Sequence, residues 1–443
     1  MIQILCPKYL VPVRPLGQVL EQYSVAIDPA SGRIMDVLPR VDAMEKHVGA
    51  SVFEMETHVL LPGLVNMHTH SPMTLLRGYA DDLRLDDWLR NHIWPAEANW
   101  ADGDFVDLGT ELAVAEMLRS GTTCFNENYF FPERMADVVE AAGIRACIGV
   151  PVIGVETKWA ATTEEYLAKG LELVASRAGY PRLRFSIAPH AMYTVDVATL
   201  ARIADLSERH DMPVHLHLLE TESEIRNSQQ AYGKMPLHHA EELGLLNERL
   251  IAVHMAHLSD SDIDLVARNN VNVVHCPQSN LKLASGVCRL TDLLAAGVNV
   301  SIGTDGAASN NDLDMFDELR TAALLAKGLS GDPCVVDAVT ALDLVTINAA
   351  RALGMEHEIG SVEVGKQADL CALDLACART QPVHHVISQL VYSAASGQVS
   401  DVWVAGRQLV KSGELTLMDE ARILSEAAAW AVGKLPETHQ VRE

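Results

Sequence analysis

Short apolar runs rich in β-branched residues recur through the middle of the chain. They are Leu60–Asn66, Gly121–Asn126, Ile144–Val150, Arg184–Pro189, Pro213–Leu219, Leu250–His254, Val271–Cys276 and Val298–Gly303. Stretches of helical period lie between them, among them Val106–Arg119, Val197–Arg209 and Leu313–Lys327. Near-continuous apolar strands alternating with helices predict a parallel sheet buried on both faces. Eight such units over about 250 residues match a closed (β/α)₈ barrel of the TIM type.

The two ends follow another pattern. Val25–Leu38 reads as two short strands around the turn Pro29-Ala-Ser-Gly32. Ala368–Leu375 and Asp401–Val410 read as further strands, the second turning at Ala405-Gly406. The α/β class is therefore predicted with a small β-sandwich assembled from both termini. The expected division is residues 1–59 for its first part and 60–357 for the barrel. Residues 358–443 supply its second part and a C-terminal helix.

Composition narrows the function. In 443 residues, 34 Lys and Arg stand against 59 Asp and Glu, a formal charge of −25. Such a surface repels a phosphate polyanion, so no nucleic-acid partner is expected. Eight cysteines are scattered without a CxxC pair, which predicts buried thiols and no disulfide framework. The opening MIQILCPKYLVPVRP has no basic segment before a long apolar core, and no run reaches the ~20 apolar residues of a membrane span. A cytoplasmic location without membrane contact is the expectation.

The candidate chemistry sits where the predicted strands end. His68-Thr-His70 follows the first, and positions i and i+2 of an extended segment face the same way. His217 ends the fifth strand, with His215 sharing its parity deeper in the strand and Glu220 three residues beyond. His254 ends the sixth and Asp305 follows the eighth. The carboxyl end of a barrel is where catalytic groups gather. Three imidazoles and a carboxylate suit one divalent ion, Zn²⁺ first, with Fe²⁺ and Mn²⁺ left open. Such an ion lowers the pKa of water to about 7 and supplies hydroxide. No lysine stands at a strand end to bridge a second ion, so a single-metal site is favoured. His215 reads as a core histidine. Ser279, Asn280 and Lys282 read as loop-shaping.

The segments PGLVNMHTHSPMTLLRG, HLHLLETESE, HCPQSNLKLASG, GTDGAASNNDLDM and VEVGKQADLCALD resemble, in this order, the amidohydrolase superfamily. The resemblance is to its nucleic-base deaminase and chlorohydrolase branch, and within it to the 5′-methylthioadenosine/S-adenosylhomocysteine deaminases. It implies His68, His70, His217 and Asp305 as metal ligands. It implies Glu220 as the group that protonates the ring nitrogen, His254 as the holder of the attacking hydroxide, and Asp305 as acceptor of the water's proton. Glu97 would bind the ribose diol, His190 would contact the nucleoside and Trp88 would lie in the loop covering the site. The implied activity is hydrolytic deamination of an adenine nucleoside, 5′-methylthioadenosine first, with S-adenosylhomocysteine and adenosine as further candidates.

Deamination or dechlorination of guanine, cytosine or a triazine is the alternative within the class, and a scaffold of the same fold is the alternative outside it. Glu97 favours a ribose, since a carboxylate offers two oxygens to a vicinal diol. The expected partner is a small adenine nucleoside, and self-assembly into a homo-oligomer stays open. In the family pattern an arginine after the third strand meets the homocysteine carboxylate. Val150 is expected at that position, with Lys158 the only cation near it.

Overall fold

The computed structural model of the chain describes residues 1–434. Eight parallel strands pair in chain order: β1 Leu64–Thr69, β2 Thr122–Glu127, β3 Arg145–Val152, β4 Leu183–Pro189, β5 Val214–Leu218, β6 Leu250–His254, β7 Asn272–His275 and β8 Val300–Ile302. Helices such as Gly103–Arg119, Val197–His210 and Met315–Ser330 follow β1, β4 and β8 in the chain. Several begin as their sequences ask. The side chains of Asp102, Thr162, Asp196 and Asp314 each accept the backbone N–H two or three residues on.

The first and last strands meet through specific groups. The Asp305 amide donates to the His68 carbonyl at 2.9 Å, and Asn66 Nδ2 donates to Thr304 Oγ1 at 2.8 Å. Gly303 permits this approach, because a Cβ there would lie 2.5 Å from the His68 nitrogen. Barrel closure thus carries Asp305 to the two histidines of the β1 end.

Both termini build one nine-stranded mixed sheet, with Ser51–Pro62 beside Gln3–Leu10 on one side and Leu370–Asp374 on the other. The sheet curls on itself. Its edge strand Arg33–Pro39 returns to the segment before Leu370, with Ile34 N donating to the Lys366 carbonyl at 2.9 Å and Ala368 N to the Gly32 carbonyl at 2.8 Å. Leu5, Val25, Ile27, Leu60, Leu370 and Trp403 fill the enclosed core. The two turns read from the sequence touch here. Gly32 has φ +73°, and a Cβ on it would meet the Ala405 carbonyl oxygen at 2.7 Å.

One expected boundary moves. Leu60, Leu61 and Pro62 end the long terminal strand, Gly63 breaks it, and the first barrel strand begins at Leu64. His68 consequently lies within β1 and His70 just past it. The C-terminal helix, Glu420–Lys434, packs Trp430 against Trp100 and Phe105 beside the barrel mouth. Residues 435–443, assigned above to the second β-part, lie outside the described residues. Six cysteines are buried and all eight are free, whereas Cys334 is exposed, contrary to the expectation of buried thiols throughout. No helix among the described residues is long and apolar enough to cross a membrane.

Candidate active site

At the barrel mouth two groups of possible metal ligands share His68: His68, His70 and Asp305, and His68, His217 and His254, the ligand atoms of each lying within 4.8 Å of one another. His68 Nε2 lies 3.1 Å from Asp305 Oδ1, and His70 Nε2 lies 3.3 Å from the same oxygen. His217 Nε2 lies 3.2 Å from His68 Nε2 and 3.3 Å from His70 Nε2. A tetrahedral ion with bonds of ~2.0–2.1 Å would separate its ligand atoms by about 3.3 Å.

The outer ring nitrogens explain why these atoms face one another. His70 Nδ1 donates to the Asn128 carbonyl and His217 Nδ1 to the His190 carbonyl, both at 2.5 Å. A neutral ring that donates through Nδ1 carries a lone pair on Nε2. His217 presents such a lone pair; burial opposes the charging of His70, but the Asp305 carboxylate raises it to about 9, so a cation taking its Nε2 would displace a proton. Burial holds the His68 imidazole down at about 4. Burial, reinforced by the surrounding imidazoles, holds His217 well below its usual range. Both are thus kept neutral, the form in which an imidazole can take a metal.

The groups around this cluster fix it. His68 Nδ1 lies 2.9 Å from His215 Nε2, so His215 backs a candidate ligand and is not itself at the convergence point. Asp305 Oδ2 accepts from Ser279 Oγ at 2.6 Å and Ser309 Oγ at 2.8 Å, and Oδ1 accepts from Gly306 N at 2.8 Å. His254 Nδ1 donates to Asn280 Oδ1 at 2.9 Å, leaving its Nε2 3.8 Å from Glu220 Oε2. Ser279 and Asn280 therefore do more than shape a loop, while Lys282 pairs with Asp81 at 2.6 Å. His254 and Asp305 adopt φ of +73° and +65°, a left-handed backbone that re-aims both side chains where their strands end.

Glu220 stands beside the cluster. Its Oε1 accepts from Ser285 Oγ at 3.2 Å, and its own amide donates to Glu224 Oε2 at 3.0 Å. Burial raises its pKa, with His254 pulling the other way.

A cavity of ≈ 340 Å³ opens from these groups. Glu97, from helix Trp94–Trp100, lines it together with Trp88, His190, Glu220, His254 and Asp305. Burial pushes Glu97 up to about 7, with the Tyr129 phenol beside it acting in the opposite direction. Trp88 is buried and donates Nε1–H to the Ala80 carbonyl at 3.0 Å, so it is an anchored wall. His190 Nδ1 lies 3.0 Å from Thr194 Oγ1, and burial lowers its pKa to about 4.

Val150 does not face this cavity. It is buried against the helix Thr163–Ser176, where a Cβ on Gly170 would sit 2.0 Å from Val150 Cγ1. The third-strand residues that do line the cavity are Pro151 and Val152, followed by Ile153, Val155, Glu156 and Lys158. The expectation for Val150 is therefore corrected: a side chain there points outward from the barrel. Lys158 Nζ donates to the Asn99 carbonyl at 2.7 Å.

A barrel with this cluster at its carboxyl end defines a hydrolase class, and the sequence agrees with it. The family model described as "Amidohydrolase family" matches residues 59–409, and the chain belongs to that family. A 5-methylthioadenosine/S-adenosylhomocysteine deaminase of Teredinibacter turnerae is 46% identical, the match covering 95% of each chain. A 5′-deoxyadenosine deaminase of Methanothermobacter thermautotrophicus is 42% identical over 84% of this chain and 87% of its own. Among solved structures, an adenosine deaminase from Xanthomonas campestris with bound zinc is 49% identical, with TM-score 0.96 over 97% of this chain and 98% of that one. The atrazine chlorohydrolase TrzN of Arthrobacter aurescens, 21% identical with TM-score 0.90 over 97% of this chain and 100% of that one, shares the fold.

Proposed function

We propose that the chain is a metal-dependent deaminase that converts an adenine nucleoside, 5′-methylthioadenosine first, to the corresponding inosine with release of ammonia. The observation that carries this reading is the placement of two carboxyls on one cavity. Glu220 stands beside the histidine cluster and Glu97 lines the cavity wall. A free base or triazine would offer Glu97 no diol and leave a desolvated carboxylate without a partner. The descriptions of the Teredinibacter and Methanothermobacter relatives support an adenine nucleoside.

His68, His70, His217 and Asp305 would hold one ion, and zinc fits their three nitrogens and one oxygen. Zinc held there supplies a nucleophile from water at neutral pH. The rest falls to the side chains. C6 of adenine accepts a nucleophile only as N1 is protonated, since otherwise charge accumulates on the ring. Glu220, whose burial favours the protonated form, donates that proton to N1 and, once ionised, relays to the departing amine the proton that Asp305 takes from the water. His254, held by Asn280, orients the attacking oxygen. Asp305 takes the water's proton. Glu97 accepts from the ribose hydroxyls, His190 meets the nucleoside and Trp88 walls the pocket.

The cavity wall that follows the third strand favours an apolar 5′-group. Val152, Ile153 and Val155 line it, Glu156 adds a negative charge, and Lys158 is the one lysine or arginine among the described residues that line the cavity. A homocysteine carboxylate would find no arginine fork there. The test is a panel of adenine nucleosides followed by loss of the adenine absorbance. Turnover of 5′-methylthioadenosine at least ~10-fold above S-adenosylhomocysteine in kcat/KM is expected, from a charged hydrogen bond of ~1.5–3 kcal/mol. Equal use of both would reverse the assignment of the 5′-group.

A further inference from the structure

Tyr129 is buried and lines the cavity, and its hydroxyl lies beside the Glu97 carboxyl without a well-formed hydrogen bond to any described residue. A buried hydroxyl that reaches its neighbour only loosely gains from a group outside the protein that completes its hydrogen bonding. The ring is packed among other rings. It packs 5.2 Å from the Phe130 ring and 6.4 Å from each of the Phe105 and His70 rings. The backbone beneath it is also fixed, since Asn128 N donates to the Thr69 carbonyl at 3.1 Å. Glu127, just before it, accepts from Thr69 Oγ1 at 2.8 Å and Ser71 N at 2.9 Å. The phenol is thus held beside Glu97 on the cavity wall.

We propose that Tyr129 is a substrate-binding residue whose hydroxyl, with the Glu97 carboxylate, forms a two-sided clamp on the vicinal diol of a ribonucleoside. This rests on the nucleoside reading given above. The two groups are complementary. A carboxylate can only accept, so it takes the protons of sugar hydroxyls and leaves their oxygen lone pairs unused. A phenol can donate to one of those oxygens. Burial, and then the Glu97 carboxyl, push the Tyr129 phenol well above its usual range, so it stays a donor. A sugar lacking the contacted hydroxyl would leave both protein groups unsatisfied, and this makes the pair a selector for ribose over deoxyribose.

The test compares the wild type and Tyr129→Phe on 5′-methylthioadenosine and on its 2′-deoxy and 3′-deoxy analogues. The variant keeps the ring and its packing, so an unchanged melting temperature is expected. With the ribonucleoside, KM should rise about tenfold while kcat stays within about twofold, the pattern of lost uniform binding. With one of the deoxy analogues the variant should match the wild type, because the same contact is already missing. Equal kinetics of the two proteins on the ribonucleoside would overturn the proposal. An equal loss on the ribonucleoside and both analogues would also overturn it, since a structural role predicts that result. If the wild type deaminates no nucleoside at all, the nucleoside reading itself fails and the clamp fails with it.

Discussion

His215 Nε2 lies 2.9 Å from Nδ1 of His68, so one buried imidazole sets the direction of another. Residues that hold a metal-binding histidine from behind typically change metal affinity by 10–100-fold when removed. His215→Ala should weaken zinc binding within that range while the protein still folds. Competition with a chromogenic chelator measures it. Unchanged affinity would mean that His68 is oriented by other contacts.

Asn280 has the same relation to His254 that His215 has to His68. Its Oδ1 fixes the ring so that Nε2 faces the cavity. Asn280→Ala should lower kcat by ~10-fold or more with bound metal unchanged, since His254 is a proposed positioner of the attacking oxygen and not a ligand. Metal loss in parallel with activity would instead tie His254 to the ion.

Glu220→Gln should keep fold and metal and lose ~10²–10⁴-fold in kcat, the range for a general acid, because an amide cannot deliver the proton. A variant with undiminished kcat would assign ring protonation to another group.

Glu97 carries a stability cost with a definite sign. Its pKa is raised from 4.5 to about 7 by burial. The folded protein therefore binds this proton more tightly than the unfolded chain does. The favourable contribution is complete below pH ~4.5 and is lost as pH rises through about 7. Above that, the ionised group costs up to about 3 kcal/mol, less what water in the cavity recovers. Glu97→Gln should raise the melting temperature at pH 8 and change it little at pH 5. A gain that is larger at pH 5 would contradict the burial of this carboxyl.

Much of this was legible in the sequence. β-branched apolar runs located all eight barrel strands, and i, i+2 spacing paired His68 with His70. What escaped depends on contacts between distant segments. The run from Val59 to Val65 is apolar throughout, and nothing in its period marks Gly63 as the point where one sheet gives way to another. Gly63 is required because Thr123 side-chain atoms come within 2.1 Å of where its Cβ would be. Ser279 meets Asp305, and Asn280 meets His254, only after β6, β7 and β8 lie side by side. The left-handed backbone at His254 has no glycine to announce it. Val150 illustrates the opposite error: its position in the chain suggested the pocket, while the pleat of β3 turns it toward Gly170.

That correction changes where specificity can be moved. Val150→Arg should destabilise the protein, because a charged side chain would enter packed helix contacts. Val155 lines the cavity and is 57% exposed, so it can accept a longer side chain. Val155→Arg should raise kcat/KM for S-adenosylhomocysteine by about tenfold, roughly 1.4 kcal/mol, and leave 5′-methylthioadenosine nearly unchanged. No shift in the ratio of the two substrates would place the 5′-group elsewhere.

The most direct measurement of the central claim is ammonia release from 5′-methylthioadenosine by zinc-loaded protein, before and after replacing His217 with Ala. The account predicts one ammonia per inosine product in the wild type. It predicts loss of both turnover and bound zinc in His217→Ala. Full turnover by the variant, or no ammonia from a wild type carrying zinc, would contradict it.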